Sequence, residues 1–129
     1  MNNKGFVIKY ISDISHPVYG QKGLFATKKW NKYDILEEYK GELCEYRNSD
    51  YMAGFNLEGY LGYGVDAKNN GNETRYINHF ENITKNPNCK FVSALIDNKP
   101  KIFMVVVDDI YINDEIVSDY CYNNFNYNN

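Results

Sequence analysis

The densest set of polar, chemically capable side chains lies in one stretch, Gly71-Asn72-Glu73-Thr74-Arg75-Tyr76-Ile77-Asn78-His79. Arg, Asn and His packed this closely beside Gly are candidates for holding a polar ligand. The same composition also suits a plain solvated loop, because Asn and Gly favour turns. His79 can equally be a hydrogen-bonded core residue. A second resource is aromatic: 13 Tyr stand against 7 Phe and 1 Trp. A Tyr ring packs one face and offers a hydroxyl at its tip, which suits strands and pocket walls, although most such rings are ordinary filler. The thiols offer less. Cys44, Cys89 and Cys121 form no CxxC pair, so a disulfide framework is not expected and reduced thiols in an intracellular setting are the simpler reading.

The polar stretch gains meaning from its surroundings. Arg75-Tyr76-Ile77-Asn78-His79 resembles the Arg-Phe-Ile-Asn-His signature of SET domains. Val65-Asp66-Ala67 and Gly71-Asn72 precede it at the family's spacing, and Pro87-Asn88-Cys89 follows. Asp109-Ile110 and Asp114-Glu115-Ile116-Val117-Ser118-Asp119-Tyr120 resemble the family's last block. Lys22-Gly23-Leu24-Phe25-Ala26 is similar to the end of the Gly-x-Gly motif, and Lys40-Gly41-Glu42 to the strand-turn element after it. The blocks run in order from Gly20 to about Tyr122, leaving 123–129 as a tail, so the chain reads as a single domain over 1–129.

The resemblance implies a protein lysine methyltransferase that uses S-adenosylmethionine, with a histone tail as the default substrate. The alternative is a degenerate SET domain that binds a peptide or protein without transferring methyl. The sulfonium already activates the methyl group, so such an enzyme works by positioning and electrostatics. It must also desolvate a lysine whose pKa in water is about 10.4. By the resemblance Tyr120 is catalytic, its hydroxyl facing the methyl group through weak CH···O contacts. Asn78 would hold the methionine part of the cofactor, and His79 would approach the adenine largely through its backbone. Lys22, Gly23, Leu24 and Phe25 would line the cofactor with backbone groups, Gly23 permitting close approach. Arg75 would either touch the ligand or brace the fold. Tyr63, Tyr122 and Phe125 are candidates for the lysine channel. His16 lies outside every block and reads as a solvated loop residue.

The pattern departs from the family in places. Gln21 stands where the first Gly of Gly-x-Gly is usual, with Gly20 adjacent; Phe80 replaces a Ser; and 80–86 reads as an insertion close to the active site. Asn113 replaces a turn Gly, which Asn can do because it tolerates left-handed backbone. Ser118 occupies a position where related enzymes often carry Phe or Tyr, so the number of methyl groups added stays open. Cys89 corresponds to a zinc-binding Cys of relatives, but no CxC partner follows, so no metal is expected. Small members without flanking regions can dimerise, so a homodimer is among the expected states.

The elements that must position these residues read as short strands. Phe6 to Ile11, Gly23 to Thr27, Asp34 to Tyr39 and Tyr60 to Asp66 all carry strand character. Phe91 to Ile96 and Lys101 to Val107 flank Asp97-Asn98-Lys99-Pro100, a hairpin signal. Tyr46 to Leu57 is ambiguous and is the candidate for a helical turn or two. The fold class is therefore mostly β, which the family resemblance refines to short curved sheets around a C-terminal pseudoknot. That knot would bring the Arg75 and Tyr120 segments together. A net charge of −3 argues against direct nucleic-acid binding and is compatible with a basic peptide. No apolar run is long enough to span a membrane, and a nuclear or host-nuclear site is an expectation of the family habit.

Overall fold

The structure, a computed structural model, describes residues 4–120. In chain order the strands are β1 (Phe6–Tyr10), β2 (Lys22–Ala26), β3 (Ile35–Glu38), β4 (Glu42–Glu45), β5 (Met52–Gly54), β6 (Tyr63–Asp66), β7 (Asn78–His79), β8 (Cys89–Ile96), β9 (Lys99–Val106) and β10 (Val117–Ser118). They form three sheets: β1-β2, β4-β6-β5, and the larger β3-β9-β8-β10-β7. The domain is mostly β, as the sequence implies.

The β8–β9 hairpin shows why these segments are strands. Ile102, Met104 and Val106 alternate along β9 and are all fully buried, the period that a sheet with one covered face requires. Asp97 and Asn98 turn the chain with φ of 52° and 64°, the paired left-handed conformation that matches the twist of a tight hairpin. Phe6, Leu24, Ile77, Ile110 and Ile116 complete the centre of the core at 0–1% exposure. Each such side chain contributes about 1.5–3 kcal/mol on burial.

The ambiguous segment resolves as strand rather than helix. Met52–Gly54 pairs antiparallel with β6, placing Ala53 opposite Val65 and Gly54 opposite Gly64. Gly64 makes this possible, because a Cβ there would collide with the Ala53 carbonyl. Among the described residues the helical turn is instead a 3-10 turn, Glu73–Tyr76, inside the polar stretch. Asn72 caps it: Oδ1 accepts from the Thr74 N–H at 3.1 Å while Nδ2 donates to the Glu38 carbonyl at 2.8 Å.

Segment 114–118 is clasped on several sides. β10 runs parallel to β7, with Val117 beside Asn78 and Ser118 beside His79, and its other edge meets Cys89 of β8. The Asn88 side chain locks this junction by donating to the Glu115 carbonyl and accepting from the Val117 N–H, both at 2.9 Å. Just upstream, the Ile116 N–H donates to Leu24 and the Ala26 N–H donates to Asp114. Asn113 turns the chain into this segment with φ of 76°, as an Asn in a glycine position can. The two distant polar stretches are thereby held side by side.

Candidate active site

Where β2, β7 and the end of β10 converge, a cavity of about 660 Å³ opens. Its lining is mixed. Tyr39, Tyr51, Phe91 and Tyr120 make an aromatic group; Lys22, Arg75, Tyr76 and Asn78 make a polar group with two cations, and Ser49 and Asp50 also line the wall.

In the aromatic group, Tyr120 follows directly from the clasp of β10. Its hydroxyl donates to the Ile77 carbonyl, and its backbone N–H donates to His79 Nδ1 at 3.1 Å. Its ring leans on Phe91, with centroids 6.1 Å apart, and on His79 at 5.6 Å. Phe91 also meets Tyr39 edge to face at 5.3 Å, and the Tyr39 hydroxyl donates to the Tyr51 carbonyl at 2.6 Å. Burial pushes both phenols, Tyr120 and Tyr39, well above the usual tyrosine range. Both hydroxyls therefore stay neutral at physiological pH and act as fixed dipoles.

In the polar group, Asn78 is fully oriented. Its Nδ2 donates to the Lys22 carbonyl at 3.2 Å and to Glu115 Oε2 at 3.0 Å. With the amide protons committed, what Asn78 can offer a ligand is the acceptor Oδ1. Gly23 permits this arrangement. A Cβ there would lie 2.8 Å from Ile11 Cδ1, 2.9 Å from Glu115 Oε2 and 3.3 Å from Asn78 Nδ2. The glycine is thus needed for β2 to close on Asn78 and Glu115.

Arg75 braces the fold and also lines the cavity. Nη1 braces the chain by donating to the Ala67 and Lys68 carbonyls at 3.3 and 3.0 Å. Its guanidinium also stacks on Tyr76 and Tyr51 at 4.9 and 5.4 Å while lining the cavity. The Arg75 N–H given to the Tyr76 hydroxyl, helped by Lys22, holds that phenol below its ordinary range. Lys22 lines the cavity with its side chain as well as its carbonyl, the ammonium resting over Tyr76 at 5.2 Å and Tyr10 at 5.6 Å.

Other expected residues stand elsewhere. Leu24 is fully buried in the core and its carbonyl is taken by Ile116. Phe25, on the opposite face of β2, lines a second cavity of about 430 Å³ with His16, Asn82, Ile83 and Glu115. The 80–86 insertion therefore faces this smaller cavity. The His79 side chain bonds Glu81 at 2.8 Å and supports Tyr120, and Tyr63 lies on β6 beside Glu45; neither lines the larger cavity. Tyr122 and Phe125 fall outside the described residues. Ser118 is fully buried within β10.

His16 corrects the expectation of a solvated residue. Its side chain is 9% exposed, and Nε2 lies 2.7 Å from Glu115 Oε1. The loop folds back because Ile11 bonds both Gly20 and Gln21, Gly20 turning at φ 85°. Sequence reasoning also missed Tyr10, Tyr39, Tyr51, Tyr76 and Phe91 as cavity residues; the excess of Tyr was the available signal. Cys89 is buried, which pushes its thiol up. Among the described residues no group of three His, Cys, Asp or Glu could hold a metal ion.

Comparison with known proteins places this arrangement. A histone-lysine N-methyltransferase, H3 lysine-4 specific, of Neurospora crassa is 30% identical over 108 residues, covering 76% of this chain and 8% of that protein. The N-lysine methyltransferase KMT5A of Xenopus tropicalis is 28% identical over 113 residues, covering 77% of this chain and 32% of that protein. The chain thus spans only a small part of the length of these relatives. The solved structure of ctPRC2 in an autoinhibited conformation bound to S-adenosylmethionine matches with a TM-score of 0.72 and 25% identity, over 95% of this chain and 16% of that one. The Chaetomium thermophilum Polycomb Repressive Complex 2 bound to GSK126 shares the fold with a TM-score of 0.71 over 92% of this chain and 16% of that one, at 24% identity. Residues 21–121 match the SET domain, and the chain belongs to that family.

Proposed function

We propose that the chain is a protein lysine methyltransferase, moving a methyl group from S-adenosylmethionine to the side-chain amine of a lysine. The observation that carries this reading is the neutral, backbone-anchored Tyr120 hydroxyl, set in a cavity lined by aromatic rings and by Lys22 and Arg75. The residues fit the cofactor. Asn78 Oδ1 suits an ammonium, Lys22 and Arg75 suit a carboxylate, and the Tyr rings offer π faces to a purine. The volume of about 660 Å³ lies in the ordinary range for small-molecule sites, roughly 300–1,000 Å³. When bound, S-adenosylmethionine supplies an electrophilic methyl group on a sulfonium.

The remaining work belongs to the protein. Tyr39, Tyr51 and Phe91 exclude water, which disfavours an ammonium and favours the nucleophilic amine of an incoming lysine. Because Tyr120 gives its proton to Ile77, its oxygen keeps lone pairs for polarised C–H groups. Arg75 and Asn72 hold the 3-10 turn that delivers Ile77 and Asn78. No charged base is required in this account; desolvation and position supply the effect.

A histone tail is the proposed substrate, supported by the names of the relatives and by a net charge of −3 that suits a basic peptide. The nucleus is the corresponding site of action. Among the described residues no helix is long and apolar enough to cross a membrane. A homodimer belongs to the proposal by family resemblance, and sedimentation of the purified chain at monomer mass would contradict it.

The test is transfer of labelled methyl from S-adenosylmethionine to core histones and bulk cell protein, with Tyr120→Phe alongside. Label on lysine, largely lost in the variant, supports the reading. A folded protein that binds the cofactor yet labels nothing would instead support a binding module.

A further inference from the structure

His16 belongs to no motif, yet it is one of the most enclosed titratable groups among the described residues. It joins a chain of side chains that ends in the cavity. The Val18 N–H donates to His16 Nδ1 at 3.1 Å, so the ring proton sits on Nε2 and points to Glu115 Oε1 at 2.7 Å. The other oxygen, Oε2, accepts from Asn78 Nδ2 at 3.0 Å. The His16 and Glu115 side chains are 9% and 6% exposed. Three segments far apart in sequence are thus joined in one line: the loop before β2, the approach to β10, and β7.

We propose that His16 is a positioning residue for cofactor binding, acting through Glu115 on Asn78. The physical reason is the scarcity of partners for a buried carboxylate. With His16 present, each Glu115 oxygen has its own donor and the carboxylate cannot turn. Asn78 is then held with Nδ2 inward and Oδ1 available to a ligand. Remove His16 and Glu115 has an unpaired oxygen. It then rotates, and the Asn78 amide loses one of its two acceptors, keeping only the Lys22 carbonyl. A flipped amide would present N–H groups to the cofactor ammonium, where an acceptor is needed. The loop 12–21 also delivers Gln21 and Lys22 to the cavity wall, so the same pair ties that wall to β7.

The inference rests on Asn78 being a cofactor residue, and the experiment separates the two claims. The dissociation constant for S-adenosylmethionine, and kcat at saturating cofactor, are measured for wild type, His16→Ala, His16→Gln, Asn78→Ala and the double variant His16→Ala/Asn78→Ala. His16→Ala is expected to weaken cofactor binding roughly tenfold, the usual consequence of leaving one hydrogen bond to a charged group unmade. Saturated kcat should change less than about twofold, because nothing at the methyl group has moved. His16→Gln, whose amide can donate to Glu115, should recover most of the affinity. The double variant should bind no more weakly than Asn78→Ala, since both act through one amide.

If Asn78→Ala weakens binding but His16→Ala does not, or if the two losses multiply, His16 has no positioning role. If Asn78→Ala leaves binding intact, the cofactor assignment itself is wrong. Should His16→Ala fail to fold, Glu115→Gln in its place carries the same comparison, with loss of affinity expected and wild-type affinity overturning the proposal.

Discussion

Glu115 stands between two cavities that differ in what built them. The larger one includes the family-motif residues Lys22, Arg75, Asn78 and Tyr120, and the Asn78 amide is already committed to Lys22 and Glu115. The smaller one gathers His16, which lies outside every motif, Asn82 and Ile83 of the insertion, and Phe25 from the first block. A chemical site needs fixed side-chain orientation, and in the larger cavity Asn78 obtains it from Lys22 and Glu115 and Tyr120 from Ile77. The smaller cavity borders the same carboxylate but presents loops. The difference teaches that in this chain a motif residue, Glu115, is oriented from one side by Asn78 of the motif and from the other by His16, which no motif contains.

Breaking the larger cavity should have the largest effect. Tyr120→Phe removes a hydroxyl preorganised against the Ile77 carbonyl, and turnover at saturating substrate should fall about a hundredfold. Cofactor affinity should stay near wild type. Gly23→Ala inserts a Cβ into the space held by Ile11, Glu115 and Asn78. Overpacking of this kind costs about 1–3 kcal/mol, so cofactor binding measured by calorimetry should weaken by roughly ten- to a hundredfold.

Asn88→Ala cuts the two side-chain hydrogen bonds that hold β10 to β8. It should destabilise the fold by about 1–3 kcal/mol, read as a lower Tm, and loosen Tyr120 with it. Behind the aromatic wall, Asp66 is buried and accepts from Arg47, Lys68 and Ser49. Burial alone would raise its pKa, but these hydrogen bonds outweigh it and hold the carboxyl below its ordinary 3.8. A lowered folded pKa means the stabilisation is complete above the ordinary value and fades as pH falls through the folded one. The Tm gap between wild type and Asp66→Asn should therefore be constant near neutral pH and shrink below about pH 4. Smallest of all, Ile83→Ala trims the lining of the second cavity and should leave kcat and cofactor affinity within about twofold.

How far the sequence made this legible depends on the kind of signal each residue gave. Asn78, Arg75 and Tyr120 meet at the cavity because a motif is a record of positions that must converge. Leu24 and Phe25 sit in an equally clear block, yet strand alternation sends one into the core and the other to the second cavity. Tyr39, Tyr51 and Phe91 carry no local mark, since a wall assembled from β8 and from the residues flanking β3 and β5 shows no spacing in the chain. β7 and β10 are two residues each, too short for periodicity to register. Tyr46 to Leu57 could not be resolved locally because β5 is made by pairing with β6 across a glycine. His16 was misjudged for a related reason: its partner lies 99 residues away.

The most direct test of the account is a crystal structure with S-adenosylhomocysteine, the product form of the cofactor. The prediction is electron density in the larger cavity against Lys22, Arg75, Tyr76 and Asn78, with the Tyr120 hydroxyl still on the Ile77 carbonyl. Density in the smaller cavity among His16, Phe25 and Ile83, or none in either at saturating ligand, would contradict it.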